Sequence, residues 1–246
     1  MTRFHLAADA VRGDQVTFDG ATAHHLGRVL RAAVGELVQA VDADGQLLSV
    51  RLTAIGARRA EGVVVTRARL ATESPLELTL AQAIPKGEKM ETVIRMTTEL
   101  GVSRVIPLIT ARTVVRLEPA RWGARVARWQ RVAKEAAQQC GRAAVPEVAP
   151  PRELAGWRHE APADGLLICF WEEERRGLAT LLPTDPVPRV TVVVGPEGGL
   201  TAGEVGELSS AGGLVAGLGP RLLRTETAGA VAVALLQSRY GDLGSA

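Results

Sequence analysis

From Leu78 to Leu236, short apolar runs of strand length alternate with longer segments whose apolar residues recur at helical spacing. This alternation is the strongest constraint on the fold, because parallel neighbours need crossover connections and helices then cover both sheet faces. The runs are Leu78–Ala83, Val105–Ile109, Leu166–Phe170, Val190–Val194 and Leu214–Leu218. Between them, Met90, Val93, Ile94, Thr97 and Leu100 keep helical spacing until Gly101. A long helix opening at Pro119 places Trp122, Val126, Trp129, Ala133, Ala136 and Cys140 on one inward stripe, with Arg121, Arg125 and Arg128 beside it. The two tryptophans read as core anchors. Charged "WEEERRG" reads as a solvated helix start, and Thr201 with Glu204 has capping-box spacing. A final helix turns Ala228, Val231, Ala232, Leu235 and Leu236 inward. The expectation is a mostly parallel α/β sheet.

The first 70 residues read differently. Val16–Phe18, Val38–Val41, Leu47–Ile55 and Gly62–Leu70 are strand-like and separated by turn residues, as in a small β-domain. Within it, "AHHLGRVLRAAVGE" offers a turn or two of helix, with Leu26, Val29 and Leu30 on one face and Arg28 and Arg31 free for a partner. The pattern changes near Thr72–Pro75, which divides the chain into residues 1–72 and 73–246. At 246 residues and 46% apolar composition, the chain is long enough to bury a core without a staple.

Cys140 and Cys169 have no second Cys or His at ligand spacing, which argues against a zinc site, a disulfide framework or any other metal centre. No apolar run approaches membrane-spanning length, and the expected compartment is a reducing cytoplasm. Net charge is only +2, but residues 112–142 carry eight basic side chains against two acidic ones. A guanidinium stripe of this kind suits phosphates, although Arg is also this chain's habitual base, with only three lysines in all.

Ligands of such sheets sit beyond the carboxyl ends of the strands, so the loops after Val194 and Leu218 draw attention. In "VVVGPEGGL", Gly195, Gly198 and Gly199 let backbone approach a ligand and Glu197 supplies a carboxylate. The same pattern also serves as an ordinary turn. No Gly-Lys-Ser/Thr phosphate loop follows, and in "GLGPRL" Leu222 stands where a dinucleotide fingerprint needs glycine, which disfavours a nucleotide-dependent oxidoreductase. In "LGPRLLRTETAGA", Thr225 or Thr227 can cap the following helix and Glu226 can favour its dipole, whereas Arg221 and Arg224 have no such structural reason.

The pair "GPEGGLTAGE" and "LGPRLLRTETA" resembles the signature of the RsmE family, SPOUT-class methyltransferases of uracil N3 in 16S ribosomal RNA. "HHLGRVLRAAVGE", "IPKGEKMETVIRMTTELGVSRVIPLITARTVV" and "RWQRVAKEAAQQCGRAAVPEV" are similar to that family's blocks in its order. The resemblance implies a small PUA-like β-barrel followed by an α/β SPOUT-type parallel sheet with a carboxyl-terminal trefoil knot, in a homodimer that uses S-adenosylmethionine. It implies a cofactor site of Phe170, Val194, Gly195, Glu197, Gly198, Gly199, Leu218, Gly219, Leu222, Leu223, Arg224 and Thr225. Arg224 would stabilise charge on uracil, and Glu197 or Glu226 would accept the N3 proton or merely orient Arg224 or cap a helix. Arg3, Arg28, Arg31 and Arg112 would contact RNA of the small ribosomal subunit, His24 and His25 would serve a turn or the RNA backbone, and His5 and His159 carry no expected role. Another RNA target, or a ribosome-associated binder without catalysis, remains open at this point.

Overall fold

The computed structural model describes residues 3–116, 118–157 and 165–244; His159 lies outside them. Contacts divide the chain into two units, Met1–Glu73 with Ala137–Ala144, and Ser74–Ala136 with Val145–Ala246. The return of Ala137–Ala144 to the first unit is a feature that two consecutive blocks do not contain.

The first unit is a curled, mostly antiparallel sheet of β1 (Arg3–His5), β2 (Val11–Arg12), β3 (Gln15–Asp19), β4 (Leu37–Val41), β5 (Gln46–Ile55) and β6 (Arg59–Arg69), in the order β1-β4-β5-β6-β3-β2. Among its described residues only β1 and β4 run parallel. Register shifts at Ser49/Val50 and Leu52/Ala54 bend β5 against β6, as bulges do. Phe4, Val16, Phe18, Leu26, Leu48 and Leu52 fill the interior. The "AHHLG" segment forms α1 (Gly20–His24) and a π-helical turn (His25–Val29). Its expected apolar face is broken: Leu26 is buried, but Val29 and Leu30 are exposed, because the π-helical turn departs from the 3.6-residue period. The His25 ring packs edge-on against Phe4, 5.6 Å between centroids.

The second unit holds β7 (Glu77–Ala83), α2 (Lys89–Glu99), β8 (Arg104–Ile109), α3 (Pro119–Cys140), β9 (Glu147–Val148), β10 (Arg152–Glu153), α4 (Leu154–Trp157), β11 (Leu166–Phe170), β12 (Arg189–Val194), α5 (Ala202–Ser210), β13 (Leu214–Ala216) and α6 (Thr225–Tyr240). The last turn of α3 belongs to the first unit. Every ladder is parallel, in the order β10-β8-β7-β12-β11-β13, with β9 beside β8. Strands covered on both faces become continuous apolar runs, and β12 is buried from Val190 to Val194. One face packs Leu78, Leu80, Ile168 and Val192 against Met90 and Ile94 of α2, Trp129 of α3 and Val233 of α6. The opposite face packs Ala81, Ile106, Cys169 and Val193 against Trp157 of α4 and Leu208 of α5. The Thr201–Glu204 capping box is present on α5.

Four further sequence expectations are corrected. The fifth strand stops at Ala216, because Gly217 leaves the ladder to meet the preceding loop. "WEEERRG" is a turn and not a helix start: Glu174 accepts the backbone N–H groups of Arg175 and Arg176, at 2.8 and 2.9 Å, which closes the chain locally. On α6 the inward residues are Gly229, Ala230, Ala232, Val233, Leu236 and Gln237, while Leu235 is exposed and Val231 half-buried. Cys140, expected on the inward stripe of α3, is exposed at the helix end.

Cys169 is fully buried in β11, and burial, aided by Glu172 and Glu204, pushes its thiol up to about 12. Alkylation of the native protein at pH 8 should therefore mark Cys140 and spare Cys169 until denaturant is added, as read by peptide mass mapping. Equal labelling rates in the native state would contradict this burial.

Candidate active site

At the carboxyl edge of the parallel sheet, Gln82, Val194, Phe170 and Ala216 form one transverse row, set by the registers Val194↔Gln82, Phe170↔Val194 and Phe170↔Ala216. The loops after β11, β12 and β13 leave this row and converge on a cleft of about 580 Å³. All twelve residues expected at the cofactor site line it. The wall is apolar at Phe170, Val194, Leu218 and Leu223, and polar backbone is exposed along the glycine turns.

Glycine is needed at two of these positions for different reasons. Gly199 has φ +70°, and a Cβ there would collide with the Glu172 carboxylate. At Gly217 a Cβ would run into the carbonyl of Glu174. That close approach is stitched by backbone bonds, Gly217 N–H to the Arg176 carbonyl at 2.8 Å and Trp171 N–H to the Ala216 carbonyl at 3.1 Å.

The charged "WEEERRG" turn thus becomes a wall of the cleft, with Trp171, Glu172, Glu174 and Arg175 facing it. The Arg176 side chain and backbone, with the Arg175 amide, hold the Glu174 carboxyl down at about 2, although some burial opposes this. This contribution to the turn is complete above the ordinary carboxylate range and disappears as pH falls through about 2.

Below the cleft, buried Gln82 joins two loops. Its Nε2 donates to Thr225 Oγ1 at 2.9 Å and to the Ala83 carbonyl at 3.1 Å, with a longer approach to the Gly195 carbonyl at 3.5 Å. Carbonyl acceptors on this side fix the amide orientation. Thr225 Oγ1 in turn donates to the Gly195 carbonyl at 2.6 Å, so this hydroxyl's proton is already placed within the protein.

Glu197 accepts the Lys86 backbone N–H at 3.1 Å and stands 3.1 Å from Lys89 Nζ. Burial raises its carboxyl, but its own backbone amide and these partners outweigh that and leave it below the usual range. Glu226, in the first turn of α6, is not among the lining residues and stands 3.3 Å from the same Nζ. Arg224 is the exposed residue capping α6 and faces the cleft, as does Arg221.

The other expected residues lie elsewhere. Arg112 donates to the Gly198 carbonyl at 2.6 Å and so braces the glycine loop from outside. In the first unit, Arg28 and Arg31 are exposed, Arg31 at φ +52°, and the Arg3 guanidinium donates to the Gly141 carbonyl. Of the stripe on α3, Arg128 is held by Glu88 and Glu91, and Arg125 by the Gly87 carbonyl and the Trp129 ring. Arg121 and Arg131 remain exposed.

Sequence reasoning missed Lys89 and the whole Trp171–Arg175 wall. A lysine in a strand-to-helix turn was the available signal for Lys89, but its meaning depends on β7 lying beside β12.

Comparison with known proteins places this architecture. A family model described as an RNA methyltransferase domain matches residues 72–237, and one described as an RNA methyltransferase PUA domain matches residues 18–65. The ribosomal RNA small subunit methyltransferase E of Bacillus subtilis is 32% identical over 215 residues, spanning 85% of this chain and 84% of its own. That of Synechocystis is 32% identical over 239 residues, spanning 96% and 77%. Among solved structures, ribosomal RNA small subunit methyltransferase E from Neisseria gonorrhoeae, bound to S-adenosyl methionine, aligns with a TM-score of 0.90 at 32% identity over 98% of this chain and 99% of its own. The two matched regions and the parallel sheet define an RNA methyltransferase carried with a PUA domain. The chain belongs to the ribosomal RNA small subunit methyltransferase E family.

Proposed function

We propose that this chain methylates N3 of a uridine in 16S ribosomal RNA of the small subunit, with S-adenosylmethionine as donor. The observation that carries this reading is the convergence of the loops after β11, β12 and β13 on one cleft, in a chain whose relatives are named ribosomal RNA small subunit methyltransferases and whose structural relative was solved with that cofactor.

The cleft suits such a ligand. The glycines at 199 and 217 keep it free of side chains, apolar residues offer a surface for a flat base, and the buried indole N–H of Trp171 has no partner among the described residues. Phe170, Val194, Leu218 and Leu223 would hold the apolar part, and the backbone of Gly195–Gly199 and Leu218–Thr225 the polar part. When bound, S-adenosylmethionine supplies a methyl group already activated on a sulfonium.

What the protein must add is positioning and control of charge. Uracil N3 is a poor nucleophile until its proton leaves. Arg224, always charged and rich in N–H donors, stabilises the negative charge that then spreads onto a uracil carbonyl oxygen. The N3 proton passes to a carboxylate. We assign this role to Glu197 over Glu226, since Glu197 lines the cleft and Glu226 does not.

The same reading includes a trefoil knot in the carboxyl-terminal part, supported by β12 lying between β7 and β11 while β13 lies beyond β11. It includes a homodimer, supported by apolar side chains left exposed at Leu222 (84%), Leu235 and Met96. A cytoplasmic setting follows from the ribosomal substrate.

RNA is engaged through phosphates by Arg28 and Arg31 of the PUA unit and by Arg3, Arg112, Arg121 and Arg131. Affinity for a 16S ribosomal RNA fragment, followed by fluorescence anisotropy from 50 to 200 mM salt, should fall as salt rises, and Arg28→Ala with Arg31→Ala should flatten the log–log slope by about 1–2. A slope unaffected by that double replacement removes these arginines from the interface. Methylation itself is tested by mass mapping of ribosomal RNA with and without the protein.

A further inference from the structure

Lys89 opens α2 and lines the cleft, and the reaction as described above gives it no task. Its Nζ lies 3.1 Å from Glu197 Oε1, in the loop after β12, and 3.3 Å from Glu226 Oε2, in the first turn of α6. Two carboxylates delivered by two separate glycine-bearing loops therefore share one ammonium. Without it they would face each other uncompensated, and one would take up a proton or the loops would part.

The surrounding charges leave this arrangement intact. Glu197 and Glu226 face Lys89 from two elements, and Arg224 caps the second of them. Glu88 and Glu91, beside Lys89 in the chain, are engaged instead by Arg128 of α3 at 3.1 and 2.8 Å. An ammonium has three donors, and the two carboxylates take two.

We propose that Lys89 is a positioning residue for methyl transfer: its ammonium bridges Glu197 and Glu226 and so sets the separation of the two glycine-bearing loops around the methyl donor. This rests on the reading of the cleft as a methyl-donor site and adds the element that assembles it. The Glu197 hydrogen bond raises the Lys89 ammonium above its ordinary range, and Glu197 lies below its own despite burial. Folded-state linkage therefore operates between these limits. It is lost as pH falls through the lowered carboxylate value, and also as pH rises through the raised ammonium value.

The test is calorimetric titration of the full chain with S-adenosylmethionine and S-adenosylhomocysteine between pH 3.5 and 9, alongside single-turnover methylation and a circular dichroism melt. Lys89 is 36% exposed, so its variants are expected to fold. Lys89→Met should weaken binding about tenfold at pH 7.5 and move the acid limb of both profiles upward, while Lys89→Arg stays within about threefold of wild type. Adding Glu226→Gln to Lys89→Met should restore affinity, because it removes the uncompensated charge, while Glu226→Gln alone should not improve it. Lys89→Met that binds and titrates like wild type overturns the inference, as does Glu226→Gln costing the same in both backgrounds. Wild-type protein that retains neither ligand overturns the methyl-donor reading itself, and the inference with it.

Discussion

Gly217→Ala should lower affinity for S-adenosylmethionine by about 100-fold, close to 3 kcal/mol, while far-ultraviolet circular dichroism stays that of the wild type. A single methyl group has this effect because of where it lands. A Cβ at Gly217 would press on the carbonyl oxygen of Glu174 and come 3.3 Å from its carbonyl carbon, and neither is the tip of a side chain that could swing aside. The Trp171–Arg176 turn must move as a body. That turn forms one wall of the cleft, so the ligand loses a packed surface and the backbone bond between Gly217 and Arg176 is strained. Gly199→Ala makes a useful contrast. It faces a left-handed backbone penalty of about 1–2 kcal/mol, but the atoms in its way are the end of the Glu172 side chain, which is exposed and able to turn. The smaller effect belongs to Gly199, and calorimetry on both variants ranks them. Affinity of Gly217→Ala within threefold of wild type would contradict the assigned wall.

Arg224→Ala should act on the other axis. Loss of one donor aimed at developing charge lowers turnover by about 10²–10³-fold, while donor affinity changes only a few-fold. The guanidinium is exposed at the cap of α6, where neither loop needs it for packing. Arg224→Lys should recover little, because a compact, strongly hydrated ammonium on a flexible stem lacks the fixed planar donors of a guanidinium. Steady-state methylation at saturating donor, paired with calorimetry, separates the two effects. If donor binding disappears and turnover at saturation stays unchanged, Arg224 belongs to binding and not to chemistry.

How much of this was legible in the sequence depends on the scale of the feature. Val190–Val194 announces a doubly covered strand through composition alone, and the two glycine-rich loops stand out because each follows such a strand. Their grouping into one site rested on family resemblance, since nothing in spacing says that β12 lies between β7 and β11. Lys89 escaped notice for that reason: its partners are 108 and 137 positions away and meet it only after the sheet is ordered. The charged turn at Trp171–Arg176 reads as a helix start because charge patterning is silent about a carboxylate folding back on the next two amides, as Glu174 does. Helical periodicity also failed where the backbone left the regular period, at the π-helical turn that exposes Val29 and Leu30.

The return of Ala137–Ala144 to the first unit has a practical consequence for dissecting the protein. The Arg142 guanidinium, 6% exposed, meets the Glu73 carboxylate, and the amide of Ala143 donates to Thr72 and Glu73. A fragment ending at Glu73 would lack these partners, leaving a carboxylate and a hydroxyl to water at its raw end. Neither unit is a contiguous stretch of polypeptide. Expression of the PUA unit alone calls for a grafted strap carrying the 137–144 sequence, or for a circular rearrangement, and not for a stop codon at the apparent boundary.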